Sequence, residues 1–486
     1  MRLSPPLLIA GAFASLAAPA AAQPPLQQRV EARLAEAGPG VRFGLVVAAE
    51  DGRELVAILP DQRFMPASTT KMFTTAAAFR GLGPLDVPDI AAGATVRLEA
   101  GRAGAPDVVL EGHGDARLSS APDCREDCLS TLADAVAART KHVGNVIGDD
   151  RFFPDQRWSS GMSWNNIQTR SGTGVSALSL DDNELVVKVS PAAPGQIVRV
   201  ESSGYYAVEN RAVTGAPGSP SRLSVDRQPN SPLLRLTGSI PADAKPETLR
   251  LGIDDPAHYA AWRLKALLEA RGVKVTGVVS ARHRSGAPED DPLVRGNAPP
   301  VRPADAPPLA RAVPRPLIED LRLVNKVSQN LHAELLLRRL GRVSGTGSVA
   351  DGLVEVRAML AAAGAKRTQY DLSDGSGMST YNRVAPRGAV ALLRWISAQP
   401  WGAAWRETLP VAGVDGTLAG RFKGGPLQGR LFAKTGSLNA TSALAGYLVA
   451  KSGRTFVFAS YANDIPDGAS ATKAMDAAIE LIAAEN

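Results

Sequence analysis

The stretch Pro66-Ala67-Ser68-Thr69-Thr70-Lys71 sets a hydroxyl and an amine three residues apart, at the mouth of an Ala-rich run over 72–79. At a helix start that spacing puts both side chains on one face, one turn apart. Helix N–H groups converge there and favour a developing negative charge. A neighbouring lysine can accept the hydroxyl proton if burial and local charge lower its proton affinity. The chemistry on offer is nucleophilic attack by Ser68 with Lys71 as its base. The pattern alone is weak, because Ser470-Ala471-Thr472-Lys473 repeats it near the C-terminus. In either copy the plain alternative is a capping serine followed by a surface lysine.

Two other clusters could complete such a site. Ser328-Gln329-Asn330 lies in a Leu-rich stretch, although Ser-x-Asn also recurs at Ser163-Trp164-Asn165 and Ser437-Leu438-Asn439. By itself it describes two polar residues on a solvated helix face. Lys434-Thr435-Gly436-Ser437 occurs once. A strand carrying a cation and two hydroxyls can line an anion-binding cleft, and Gly436 lets backbone approach backbone there. The amide of Ser437 can then point into the site. The bland reading is an edge-strand lysine before a turn. No Gly-x-Ser-x-Gly elbow is present, which disfavours an α/β-hydrolase. The five histidines form no His-Glu-x-x-His pattern or similar cluster, so neither a metal nor another cofactor is expected.

The elements that must hold these residues follow from periodicity and turn signals. A helix is expected at 27–37, then strands at 43–49 and 54–59 joined by Asp51-Gly52. From about 88 to 254 short β-rich runs alternate with Gly/Pro turns, around one helical stretch at 129–138. This region reads as an inserted strand-rich part, expected to form two modules. A helix at 255–271, a strand at 273–279 and a Pro-rich linker at 286–316 come next. Leu317, Leu321, Val324, Leu331 and Leu335 recur at near-helical spacing, which predicts one long helix over 317–340 carrying Ser328. Strands at 430–438, 442–449 and 455–460 precede a last helix at 470–484. Strands at both ends of the chain suggest one antiparallel sheet closed by both termini, with the middle inserted.

The three clusters in this order resemble the motif set of penicillin-binding proteins and serine β-lactamases. More narrowly, the mature chain resembles the class C low-molecular-mass penicillin-binding proteins, the D-alanyl-D-alanine carboxypeptidase/endopeptidases. Further matching stretches are Gly112-His113-Gly114-Asp115, Gly148-Asp149-Asp150, Val175 to Asn183, Asp374-Gly375-Ser376-Gly377 and Leu409 to Leu418. The long interval between Ser68 and Ser328 fits too, since this family inserts domains there. The resemblance implies an α+β fold: a transpeptidase-like domain with a five-stranded antiparallel sheet flanked by helices, and inserted strand-rich domains. The expected division is 1–22 as a signal peptide, 23–87 plus 255–486 as the catalytic domain, and 88–254 as the insertion.

The resemblance also implies roles. Ser68 would be the nucleophile and Lys71 its base. Ser328 would relay a proton to the leaving amine, with Asn330 and Lys434 in support. Thr435 and Ser437 would hold the substrate carboxylate, and the amides of Ser68 and Ser437 would form the oxyanion hole. Substrates would be peptidoglycan stem peptides, and β-lactams would bind covalently. Relatives often face a diaminopimelate end with an Asp after a Trp in the insertion and an Arg after the Asp-Gly-Ser-Gly run. Here Asn166 follows Trp164, and Thr380 follows Met378 and Ser379. Both charges are therefore missing, unless Asp149, Asp150, Arg170 or Arg383 fills the same space. Two rivals stand beside this reading. One is a β-lactamase or esterase of the same fold, for which the Tyr-x-Asn pattern at Tyr461-Ala462-Asn463 falls too late in the chain. The other is a non-catalytic peptidoglycan-binding scaffold.

Composition agrees with an exported globular enzyme. The 486 residues imply about two to four domains. Arg2, the apolar run to Leu16 and the small residues Ala20 and Ala22 read as a secretory signal cut before Gln23. A periplasmic or secreted location is expected, with at most peripheral membrane contact. The net charge of +6 is scattered, with no basic block to suit nucleic acid. In an oxidising compartment the only two cysteines, Cys124 and Cys128, are expected to pair, in a loop or at a helix start.

Overall fold

The structure, a computed structural model, describes residues 24–101, 104–303 and 306–486; the expected signal segment lies outside them. An antiparallel sheet runs in the order Glu54–Ile58, Arg42–Ala49, Thr455–Asn463, Thr441–Val449, Leu431–Leu438. The three inner strands are rich in Val, Ala, Phe and Leu and are buried along nearly their whole length. Strand side chains alternate between faces. Val46, Ala48, Val457, Ala459 and Tyr461 accordingly enter one core, and Leu45, Val47, Phe456 and Phe458 the other. The terminal helices Leu26–Ala35 and Ala471–Glu485 cover the second face.

The first face is covered by helices Thr70–Gly81, Leu317–Lys326, Asn330–Ser344, Val349–Ala362 and Pro386–Ser397. Thr70–Gly81 is the innermost, buried without interruption from Thr70 to Phe79. That explains its lack of an amphipathic pattern: it has no solvent face to serve. It follows directly from a tight 3-10 turn at Ala67–Thr69 that carries Ser68.

A second body is built on its own apolar cluster. Its largest sheet is mixed, in the order Val279–Arg282, Val146–Asp149, Asp107–Glu111, Thr95–Glu99, Ala310–Arg311. Two three-stranded sheets and two two-stranded ones accompany it. All of them share the one cluster, which runs from Val96 and Leu110 to Leu234 and Ile240.

Two expectations are corrected here. The chain does not return to the first body at 255. Helix Pro256–Ala270 buries Ala257, Ala260, Ala261, Leu264 and Leu268 in the second core. Val279–Arg282 then pairs with Val146–Asp149, and Ala310–Arg311 with Thr95 and Val96. The chain re-enters the first core at Leu317. The apolar pattern of 256–270 announces a buried face, but not which core receives it. The expected single strand at 273–279 likewise splits into Lys274–Val275 and Val279–Arg282.

The long helix over 317–340 is in fact two, Leu317–Lys326 and Asn330–Ser344. Ser328 lies between them at φ +65°, a left-handed conformation that ends a helix. Gln329 caps the second helix, its side chain accepting from Leu331 N–H at 3.0 Å. Leu317, Leu321 and Val324 line the first core, whereas Leu331 and Leu335 pack in a separate cluster with Ala116, Phe153, Val175 and Ala177, so the leucine spacing crosses the break without staying in one core.

Cys124 and Cys128 are joined in a disulfide immediately before helix Leu129–Arg139. Intact mass of protein made in an oxidising compartment should rise by two hydrogens on reduction, with no thiol open to alkylation beforehand. Alkylation of native protein at both cysteines would contradict the bond. Removing it should cost about 2 kcal/mol or less in thermal or denaturant unfolding, since the closed loop is very short.

Candidate active site

The nucleophile turn is held by close backbone approach on both sides. A Cβ at Gly377 would lie 1.9 Å from the Ala67 carbonyl oxygen and 3.0 Å from Ser68 N. Gly377 also has φ +88°, which disfavours a side chain independently. On the other side, a Cβ at Gly436 would lie 2.7 Å from Pro66 O and 3.1 Å from Ser68 N. Only glycine at both positions lets the edge strand and the 374–379 loop clamp the turn. Ser68 itself remains half exposed.

Lys71 is fully buried, one helical turn from Ser68. Its Nζ lies 3.0 Å from Ser68 Oγ, 2.6 Å from Asn330 Oδ1 and 2.6 Å from the Ser376 carbonyl oxygen. The Asn330 amide is oriented by its other end, since Nδ2 donates to the Ser171 carbonyl at 2.8 Å. Two of the three partners of Lys71 can therefore only accept. In the neutral amine they take both hydrogens, and the lone pair is left directed at Ser68 Oγ. Burial pushes the Lys71 pKa down to about 7, against the opposing pull of the Asp374 and Glu334 charges. A buried amine with that affinity and that orientation can serve as a base for the serine hydroxyl.

Lys434 is the second buried amine. Its Nζ donates to Ser328 Oγ and to the Thr435 carbonyl, both at 2.9 Å. Burial, then the proximity of Lys71, lowers its pKa well below the ordinary lysine value. The helix break thus has a function: it turns the Ser328 hydroxyl out of a helical ladder toward Lys434. Thr435 Oγ1 donates to Thr417 Oγ1 at 2.7 Å, and Ser437 is exposed at the end of the same edge strand. The cleft therefore presents two serine hydroxyls, each held by its own lysine, beside a strand with further hydroxyls. A carbonyl could be attacked and a leaving group protonated without a metal; among the described residues no group of His, Cys, Asp or Glu is placed to hold one.

The inserted body supplies one wall. A narrow cleft is lined by Arg157, Trp158, Met162, Ser171, Asn330 and Met378. Thr380 N–H and Oγ1 both donate to the Gly161 carbonyl at 2.9 Å, so this hydroxyl ties the two bodies together. Trp164 is 63% exposed, and Asn166 follows on the same 3-10 turn, Trp164–Asn166. Of the residues that could replace the missing charges, Asp149 is bound by Arg151 at 2.6–3.2 Å, and Asp150 by His283 at 2.9 Å and Ser176 at 2.8 Å. Arg383 lies beside Thr380, donating to its carbonyl at 2.6 Å and to that of Asn382 at 2.8 Å.

The repeated motifs fall elsewhere. Ser470 and Lys473 are both exposed at the start of the last helix. Tyr461 is fully buried and stacked on Phe64, with ring centroids 6.1 Å apart. Sequence reasoning missed Glu334, Ser171 and Thr417, and took the Asp374-Gly375-Ser376-Gly377 run only as a matching stretch. Glu334 has a legible signal, being the middle of a polar row, Asn330, Glu334 and Arg338, spaced four apart along a Leu-rich helix. Asp374 accepts from Gly377 N–H at 2.9 Å, Ser379 N–H at 2.6 Å and Asn382 Nδ2 at 2.7 Å. Burial, and then the charge of Glu334, pushes the Asp374 carboxyl up to about 6 against these bonds.

Comparison with known proteins agrees with this geometry. The model of the D-Ala-D-Ala carboxypeptidase 3 (S13) family matches residues 26–486. A D-alanyl-D-alanine carboxypeptidase of Actinomadura sp. (strain R39) is 34% identical, over 91% of this chain and 82% of that protein. D-alanyl-D-alanine carboxypeptidase DacB of Haemophilus influenzae is 26% identical, over 88% of this chain and 87% of that one. The crystal structure of penicillin binding protein 4 (dacB) from Haemophilus influenzae superposes with a TM-score of 0.76 at 22% identity. It covers 92% of this chain and 97% of that one.

If Lys71 must be neutral to accept the Ser68 proton, the rate constant for acylation of Ser68 should fall tenfold per pH unit below about 7 and level off above it. Stopped-flow acylation by a chromogenic acyl donor across pH 5 to 9 reads this, and a flat profile through that range would refute the assignment.

Proposed function

From the chain's membership of the D-Ala-D-Ala carboxypeptidase 3 (S13) family we propose a specific course for its reaction, as a serine-type carboxypeptidase acting on D-Ala-D-Ala peptidoglycan stem peptides. Ser68 Oγ attacks the carbonyl of the penultimate D-Ala, and its proton passes to Lys71. The oxyanion faces the amides of Ser68 and Ser437. Lys434, Thr435 and Ser437 receive the terminal carboxylate. Ser328, hydrogen-bonded to Lys434, relays the proton taken up by Lys71 to the leaving D-Ala amine, which returns Lys71 to its neutral form. Water then cleaves the acyl-enzyme with Lys71 again as base. The observation that carries this reading is the Lys71 amine, with two pure acceptors at 2.6 Å and its third direction on Ser68 Oγ.

The same site should trap β-lactams, which present a strained amide beside a carboxylate and so mimic the D-Ala-D-Ala end. Cleavage of D-Ala cross-links is the extension we propose for a cleft open on the leaving-group side, where Ser437 is exposed. A β-lactamase or esterase is disfavoured by the burial of Tyr461, and a non-catalytic scaffold by the assembled lysine–serine pairs. We place the enzyme in the periplasm or outside the cell, where such substrates are.

Ser68→Ala should abolish fluorescent-penicillin labelling and lower D-Ala release about a thousandfold or more, with Lys71→Ala nearly as damaging because the two act as a unit. Peptide mapping that finds the adduct on Ser470 would overturn the choice of nucleophile.

The substrate side chain is a separate question. Asn166 and Thr380 stand where relatives often carry an acid and an arginine, and Thr380 is bound to the Gly161 carbonyl. An amide keeps a hydrogen bond to an ammonium but not the charge-assisted part. A threonine cannot clamp a carboxylate as arginine does. We propose a weakened preference for a free, zwitterionic diaminopimelate end. Paired stem peptides, one with that end and one with an uncharged side chain, should differ about tenfold less in kcat/KM than they do for an Asp/Arg-bearing relative, the scale of one charge-assisted hydrogen bond. An equal preference would sink the idea.

A further inference from the structure

Behind the Lys71 amine lies a buried polar chain that the reaction described above does not use. Glu334, on helix Asn330–Ser344, is only 5% exposed. Its Oε1 accepts from the main-chain N–H groups of Gly375 at 3.0 Å and Ser376 at 2.9 Å. Its Oε2 accepts from Arg338 Nη1 at 2.9 Å, and Arg338, fully buried, also donates to the Gln156 carbonyl of the inserted body at 2.7 Å. The peptide that Glu334 grips from one side presents its next carbonyl, that of Ser376, to Lys71 Nζ. Gly375 O in turn accepts from Thr74 Oγ1 at 2.7 Å, which pins the same loop to the helix of the base.

We infer that Glu334 is a positioning residue for the base Lys71: it fixes the Ser376 carbonyl that orients the amine, and it supplies a buried counter-charge to the ammonium formed when Ser68 gives up its proton. The inference rests on the reading of Lys71 as base. Its physical content is a balance. Burial disfavours the ammonium, and the Lys71 charge in turn disfavours a second one on Lys434 of the edge strand. Glu334 from its helix and Asp374 from the loop favour it. Arg338, on the far side of Glu334, tempers that attraction without cancelling it, because it is the more distant charge. Without Glu334 the amine would lose a proton more readily and be a weaker base, aimed less well.

The sign follows. Removing an anion near Lys71 lowers the amine's proton affinity, so the acid limb of the acylation profile moves to lower pH. Glu334→Gln keeps an oxygen for the Gly375 and Ser376 amides and removes the charge. Its acid limb should move down by about one pH unit, with a plateau about tenfold lower. Asp374→Asn should move the limb the same way. Titration of Lys71 in protein labelled with 13C at lysine, read by NMR and assigned against Lys71→Ala, follows the amine independently of turnover and serves if the variants acylate too slowly to profile. Thermal melts show that each variant is folded, and whichever variant folds is decisive. A lowered plateau with the acid limb and the NMR midpoint of Lys71 unmoved would mean a merely structural role and overturn the inference. A wild-type profile with no acid limb near neutrality would instead overturn the reading of Lys71 as base. The two failures are therefore distinguishable.

Discussion

The site depends on keeping one amine dry. A lysine in water is an ammonium and no base; Lys71 can serve as one because the innermost helix of the first layer carries it into a pocket with no solvent face. Burial alone would be ruinous, since an unpartnered polar group in the interior costs several kcal/mol. The three oxygens around Nζ answer that cost and also aim the amine. Each oxygen comes from a different part of the chain: the nucleophile turn, the helix after the Ser328 break, and the 374–379 loop. Much of the fold can be understood as what brings these three together.

The inserted body takes part in this directly. Its Ser171 carbonyl sets the Asn330 amide, its Gln156 carbonyl holds Arg338 behind Glu334, and its Gly161 carbonyl takes Thr380. These are main-chain acceptors, so the body contributes to the base through its position more than through its side chains. That explains why so few of its residues stand out as chemical in the sequence.

The chemistry-bearing residues were more legible than the architecture that aims them. Ser68, Lys71, Lys434 and Gly436 could be read because three short patterns, each weak alone, fall in one order along the chain. The sheet was readable too, from apolar runs at both ends of the chain. The break at Ser328 was hidden, because apolar residues recur at helical spacing on both sides of it, although Leu331 and Leu335 pack in another cluster than Leu317 and Leu321. The body to which 256–312 belongs was hidden for a related reason: an amphipathic pattern tells that a face is buried, not against what. Glu334 and the main-chain acceptors were hidden because long-range contacts between backbone and side chain leave no local pattern. The bond of the Thr380 hydroxyl to the Gly161 carbonyl was hidden too, because it depends on two bodies meeting.

The buried groups also solve a problem of charge. Two lysines, two carboxylates and an arginine lie almost wholly out of water within one site. Fixed full charges on all of them would carry a large desolvation cost. Instead burial moves Lys71 down to about 7, lowers Lys434 well below the ordinary lysine value and raises Asp374 to about 6, while Glu334 and Arg338 pair at 2.9 Å. The groups that must exchange protons are therefore poised near their neutral forms, and the one close ion pair stands behind them. In the proposed attack by Ser68, charge separates into an oxyanion at the mouth of the cleft and an ammonium inside it. The ammonium forms beside carboxylates already in place, so the site meets the new charge without admitting water or rebuilding its walls. A lysine between two serines and two carboxylates can act as a reversible proton store only in such an enclosure. The glycines that let the loop and the edge strand close on the nucleophile turn are thus as much a part of the base as its own nitrogen.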